Sequence, residues 1–219
     1  DLEHWKKSKK INDGLSNFQI ITNIVFMGMG EPLLNYSEVK KAVMILMNDK
    51  GLDFSRRRIT LSTAGVVPMI KKAHDELGCM IAISLHATDD KTRNILVPLN
   101  KKWPIETIIK TLKDDLKLRN SERITFEYVM LKDVNDSEID AKRLVKIIQG
   151  LPSKINLIPF NKWVGSGYER SPQKKIQAFS QIIKKAGFPS PVRAPRGEDI
   201  MAACGQLKSS TVKKRLNNA

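Results

Sequence analysis

Five short clusters of glycine and polar residues punctuate the sequence, each directly after an apolar, β-rich run. They are GMGEP at 28–32, STAG at 62–65, SLHA at 84–87, PFN at 159–161 and APRG at 194–197. Gly28 and Gly30 allow a ligand to approach the backbone closely. Glu31 offers a carboxylate to a cationic group such as an amino-acid ammonium, and Ser62, Ser84, His86 and Asn161 can add hydrogen bonds to the same ligand. Pro32 interrupts the smooth passage into a helix that a dinucleotide fingerprint requires. Taken alone, His86 reads as a structural histidine. The three histidines and two cysteines show no metal-ligand spacing, so a metal site is not expected from this chain by itself.

A sixth stretch, RAPRGEDIMAACGQL at 193–207, carries Cys204. Glu198 to Cys204 reads as a short helix with acids in its first turn and Gly205 as its stop. The thiol among alanines is open to two readings, packing or reaction. Cys79, in LGCMIAIS, sits at the edge of a buried strand and reads as structural.

The elements that must position these groups alternate along the chain. Strands are expected at 23–27, 58–61, 80–83, 123–130 and 154–158, with a short final one at 191–193. Helices are expected after Ser37, over 66–77, after Asp89, from Pro104 through Leu116, over 137–149, and from Ser171-Pro172 to the Gly187 stop. Strand–helix alternation implies parallel pairing, because each crossover needs a helix. The strands read as apolar on both faces, as when helices cover a sheet. Either a doubly wound sheet or a β/α barrel fits. In both, the ends of parallel strands form the ligand face, so five clusters at one rim indicate one shared site.

Composition narrows the partners. The 219 residues hold 41% hydrophobic and 28% charged residues, as in globular proteins, and no apolar run is long enough to span a bilayer. Neither a signal peptide nor a disulfide framework is visible, and a cytoplasmic location is expected. Lys and Arg number 38 against 23 Asp and Glu, a net charge of +15, which favours a polyanion such as nucleic acid. Aromatics at 6% are too few for a base-stacking platform.

With these residues laid out, the sequence resembles the RlmN-type radical S-adenosylmethionine RNA methyltransferases. The resemblance runs over about 22–207 and rests on an ordered set: MGMGEPLLN at 27–35, RRITLSTAGVVP at 57–68, AISLHA at 82–87, EYVML at 127–131, KINLIPFN at 154–161 and RGEDIMAACGQL at 196–207. The intact GMGEPLLN and LSTAGVVP are more similar to the branch that methylates adenine at C2 than to the C8-methylating sister enzymes. The resemblance implies a partial β/α (radical-SAM, TIM-like) barrel of parallel strands. It also implies S-adenosylmethionine contacts from Gly30, Glu31, Ser62, Ser84, Leu85, His86 and Asn161.

The implied reaction is methylation of adenine C2 in 23S rRNA, with tRNA as a further substrate that the resemblance allows. Cys204 corresponds to the cysteine methylated during turnover. A second S-adenosylmethionine is cleaved reductively at a 4Fe-4S cluster, the adenosyl radical takes hydrogen from the cysteine's methyl group, and the carbon radical adds to the base. A second cysteine then helps to release the product. An electron donor for the cluster is implied as a partner. The CxxxCxxC cluster motif and that second cysteine lie upstream of the GMGEP strand in the family and are absent from this sequence. The chain is therefore expected to be the C-terminal portion of such an enzyme, with residues 1–21 a basic lead-in, 22–207 the barrel core and 208–219 a basic tail. A catalytically inert, basic RNA-binding remnant is the alternative, and an unrelated barrel enzyme acting on a phosphorylated metabolite a third.

Overall fold

A computed structural model of the chain describes residues 21–162 and 165–194. Five strands form one wholly parallel sheet: β1 (Ile24–Phe26), β2 (Ile59–Thr63), β3 (Met80–Ser84), β4 (Ile124–Met130) and β5 (Ser153–Pro159). Their spatial order is β1-β2-β3-β4-β5, the order of the sequence. A doubly wound sheet reverses its order at a switch point, so this succession excludes that alternative. A parallel succession of this kind, wound with the right-handed crossovers that such connections almost always take, brings its helices to one face, which is barrel winding. The sheet is a partial β/α barrel.

Among the described residues, six helices make the outer layer: α1 (Tyr36–Met47), α2 (Val67–Leu77), α3 (Asp90–Leu96), α4 (Ile105–Lys110), α5 (Glu138–Ile148) and α6 (Gln173–Lys185). Local chemistry sets their ends. Asp89 caps α3 by accepting from Thr92 N, and Ser137 with Asp140 forms a capping box on α5. Gly78, at φ +62°, ends α2 in the left-handed conformation that a non-glycine residue adopts reluctantly.

Three expectations change. Helix α1 starts at Tyr36 rather than after a Ser37 cap, because a 3-10 turn over Pro32–Asn35 leads into it. The helix from Pro104 ends at Lys110 and widens into a π turn over Thr111–Asp115, although Leu112 and Leu116 remain buried as their spacing required. The final strand reduces to one parallel bridge, Leu157 to Val192, flanked by bonds from Leu157 N to Pro191 O and from Arg193 N to Leu157 O.

The faces of the sheet differ more than its apolar runs indicated. One face carries Ile59, Leu61, Ile81, Ile83, Phe126, Tyr128, Ile155 and Leu157 into a single core with Ile70, Ile108, Leu144 and Phe179 of the helices. The Tyr128 and Phe179 rings sit 5.2 Å apart. Because side chains alternate along a strand, the opposite face carries Thr60, Ser62, Ser84, Thr125, Glu127 and Asn156. Register aligns Ser84 with Glu127 and Glu127 with Asn156, making a polar row across three strands. The strands are thus apolar towards the helices and mixed towards the barrel interior, where these polar residues sit beside Val25, Ala82, Val129 and Ile158.

Candidate functional site

A cavity of about 660 Å³ opens at the C-terminal ends of the strands. Its β1 side is the loop Met27–Pro32; Ser62, Ser84 and His86 line its middle, and Glu127, Ile158 and Arg193 its far side. Gly28 and Gly30 adopt φ +144° and +84°, and a Cβ built on either meets no atom within 4 Å. Glycine is used here for backbone conformation, with open space beside it rather than a packing neighbour.

Glu31 ties this loop to the next strand. Its Oε1 accepts from Leu33 N at 3.1 Å, capping the 3-10 turn, and its Oε2 accepts from Ala64 N at 2.7 Å. Both oxygens retain lone pairs, so an anchored carboxylate remains available to a cation in the cavity. The Ser62 and Ser84 hydroxyls make no hydrogen bond with any described residue and are free to serve a ligand.

His86 stands in the left-handed region at φ +60°, a conformation that a side chain of its size adopts rarely. Asn135 holds it there: Asn135 Nδ2 donates to His86 O at 2.8 Å and to Val129 O at 2.7 Å, and Leu131 N donates to Asn135 Oδ1. His86 Nδ1 accepts from Val129 N at 3.2 Å, which leaves Nε2–H as the ring's remaining donor. Burial, with help from the Arg93 charge, pushes the imidazole pKa down to about 4, so the ring is neutral at physiological pH.

Beneath the rim lies a residue that sequence reasoning passed over. Arg93 is fully buried and gathers the ends of β2 and β3. Its Nη2 donates to Ala64 O at 2.7 Å and Ser84 O at 2.9 Å, its Nε to Leu85 O at 2.9 Å, and its Nη1 to Asn100 Oδ1 at 2.7 Å. Burial pushes its pKa down to about 10, which still leaves it charged at neutral pH. Nothing in DDKTRN separates this arginine from a solvated one.

Glu127, Asn156 and Arg193 were also missed as site residues. Glu127 is 6% exposed, accepts from Asn156 Nδ2 at 2.8 Å, and has its pKa raised, chiefly by burial. The available signal was the polar residue at every second position of ITFEY and KIN.

The cavity therefore gathers Gly30, Glu31, Ser62, Ser84 and His86. It does not gather Leu85, whose side chain is fully buried in the core, or Asn161, which is not part of the cavity wall and whose Oδ1 is buried without a partner. Cys204 and its RGEDIMAACGQL segment lie outside the described residues. Cys79 is buried, and burial pushes its thiol up to about 11, so it is no thiolate at neutral pH. Among the described residues, no three His, Cys, Asp or Glu side chains could hold a metal ion together. No described helix is long and apolar enough to cross a membrane.

The sequence pattern of the radical SAM superfamily matches residues 7–145, well over half of the chain. The chain belongs to the radical SAM superfamily. The cofactors of that superfamily are S-adenosylmethionine and a 4Fe-4S cluster. Within it, this radical SAM protein is 57% identical over 98% of its length to a dual-specificity RNA methyltransferase RlmN from Jannaschia sp. (strain CCS1), covering 54% of that protein. It is 60% identical over 92% of its length to the RlmN of Dinoroseobacter shibae, covering 51%. The chain thus spans about half the length of the curated relatives it matches. A crystal structure of a radical SAM methyltransferase from Sphaerobacter thermophilus superposes with a TM-score of 0.82 at 39% identity, over 93% of this chain and 57% of that one.

Proposed function

We propose that this chain supplies the S-adenosylmethionine-binding wall of a radical SAM RNA methyltransferase that methylates C2 of adenine in 23S rRNA, and in tRNA by the same chemistry. The observation that carries the reading is the convergence of Gly28, Gly30, Glu31, Ser62, Ser84 and His86 on one cavity at the strand ends. Its relatives named as dual-specificity RNA methyltransferases support the reaction class.

The residues present fit S-adenosylmethionine. Glu31 accepts from the ammonium, the glycine loop admits the amino-acid backbone, and the Ser62 and Ser84 hydroxyls and the His86 Nε2–H offer hydrogen bonds. When bound, the cofactor supplies the methyl group and, on reductive cleavage, the radical that an unactivated aromatic carbon requires. Cys204 is proposed as the acceptor of that methyl group. The chain's residues do not fit the cluster, which takes several thiolates: the sequence has two cysteines, of which Cys79 is buried and protonated. The +15 charge suits an RNA substrate, recognised through its phosphates and shape.

Calorimetry with S-adenosylmethionine tests the reading. The chain is expected to bind saturably, and Glu31→Ala to weaken binding at least tenfold. Salt-sensitive RNA binding without any S-adenosylmethionine binding would instead favour the inert RNA-binding alternative. Methylation of adenine in an rRNA fragment, by the chain supplied with a CxxxCxxC-bearing segment, is expected to vanish in Cys204→Ala.

A further inference from the structure

We propose that Arg56 and Arg119 form a phosphate-binding site at the end of the barrel opposite the cavity, where they hold the RNA backbone remote from the modified base. The proposal rests on the reading of this chain as part of an RNA methyltransferase. The cavity lies where the parallel strands end, so the segments that lead into those strands lie at the other end. Arg56, Arg57 and Arg58 lead into β2, Arg119 and Arg123 lead into β4, and Lys154 stands at the start of β5. All six are exposed. Helix α2 ends among them at Gly78. A Cβ built there would stand 3.0 Å from Arg56 Nη1 and 3.0 Å from Arg119 Nη2, so the two nitrogens are at most twice that distance apart.

Like charges this close repel, and the fold compensates only one of them. Arg119 Nε pairs with Glu122 Oε1 at 3.2 Å. Glu122 is only 6% exposed, and its Oε2 accepts from Arg119 N at 2.9 Å and lies 3.3 Å from His74 Nε2. A fixed, buried carboxylate thus holds one edge of the guanidinium and leaves Nη2 beside Arg56. Among the described residues no carboxylate pairs with Arg56, and neighbouring Asp53 and Asp115 pair with neither guanidinium. The negative end of α2 eases the repulsion without supplying a counter-ion. The missing anion is a phosphodiester. A carboxylate is matched by one guanidinium fork, whereas a tetrahedral phosphate accepts from two guanidiniums approaching from different directions. Arg57, Arg58, Arg123 and Lys154 extend the positive charge to either side, which suits a chain of phosphates better than a single ion. The five-residue strands β2 and β3 put roughly 16 Å between the two ends, and structured RNA is recognised over longer spans than this.

The test measures binding of a 23S rRNA hairpin fragment to the full chain as salt is raised, with S-adenosylmethionine calorimetry alongside. Arg56→Gln combined with Arg119→Gln is expected to weaken the RNA about tenfold at about 0.1 M salt. It is also expected to lower the slope of log K against log salt by about one, as loss of one phosphate contact requires. Arg56→Gln alone breaks no ion pair or hydrogen bond among the described residues and is expected to weaken the RNA about threefold. That variant keeps the test decisive if Arg119→Gln, which strips a partner from Glu122, does not fold. Lys41→Gln combined with Lys142→Gln removes the same charge from α1 and α5 and is expected to change RNA binding less than about twofold. S-adenosylmethionine affinity is expected to stay unchanged in every variant. Equal weakening by the two double variants, or unchanged RNA affinity without the arginines, would overturn the proposal and leave the cofactor reading in place. Poly-glutamate that displaces the RNA at matched charge would assign the pair to an acidic protein and likewise overturn it. Failure of the unaltered chain to bind either RNA or S-adenosylmethionine overturns both readings.

Discussion

The two seams that bound the cavity are built very differently. Strands β4 and β5 pair over seven residues, from Ile124 with Ser153 to Met130 with Pro159, and β4 is buried along almost its whole length. Strands β1 and β2 pair over three, and Val25, in the middle of β1, is 53% exposed. Yet the thin seam carries the glycine loop and Glu31, and the thick one carries Glu127. The cavity therefore sets a wall built on a long ladder against one held by a short ladder, the buried Leu33 and the Glu31 carboxylate bridging Leu33 N and Ala64 N. Long ladders and core packing give rigidity independent of ligand, whereas a short ladder is held by whatever else bonds to it. Ligand binding is expected to protect the amides of the thin wall most.

Removing Arg93 should break the contrast from the rigid side. The guanidinium satisfies three backbone carbonyls and Asn100, and Arg93→Met leaves Leu85 O and Asn100 Oδ1 buried and short of a donor, with Ala64 O and Ser84 O half-buried beside them. A loss of about 3–5 kcal/mol in denaturant unfolding is expected. A loss below about 1 kcal/mol would mean that the strand ladder alone holds the rim.

Glu31→Ala should separate the two walls. Its two backbone donors lie at the loop and at the β2 end, so a global loss of only about 1–2 kcal/mol is expected. Hydrogen exchange should accelerate at residues 28–34 and 64–66 and stay unchanged along β4. Uniform acceleration across both seams would show that the thin wall is not a separate unit.

Much of this division was readable in the sequence, but not all of it. Five β-rich runs and their polar ends located the strands and the rim, because hydrophobic runs and turn residues are local signals. The cavity face was hidden by the same runs. In ITFEYVM and KINLIP, apolar residues outnumber the polar ones at alternate positions, so segments that are one-sided in the fold read as wholly apolar. Arg93 was hidden for a different reason. Its partners are carbonyls contributed by residues 64, 84 and 85, and no property of DDKTRN records that three strand-end oxygens need a donor. Glu31 was legible as a cavity carboxylate from its place after two glycines, whereas its bridge to Ala64 depends on a contact 33 residues away.

The smallest effect concerns protonation at His86, where the two walls meet. The folded imidazole titrates near 4, below the usual value of 6.5, because burial and the Arg93 charge oppose a second proton. The unfolded chain therefore takes up that proton first as the pH drops. The contribution of His86 to stability is complete above about pH 6.5 and is lost as the pH falls towards 4. His86→Asn removes the titration and places at φ +60° a residue type that tolerates the left-handed region better. Comparing the two proteins isolates the imidazole from carboxylates that titrate in the same range. Between pH 6.5 and 5 the unaltered chain is expected to lose about 1 kcal/mol more than the variant. Parallel stability curves would mean that the Val129 N–H bond and the Arg93 charge do not hold the ring neutral, and that His86 belongs to the short-ladder side of the cavity rather than the long-ladder one.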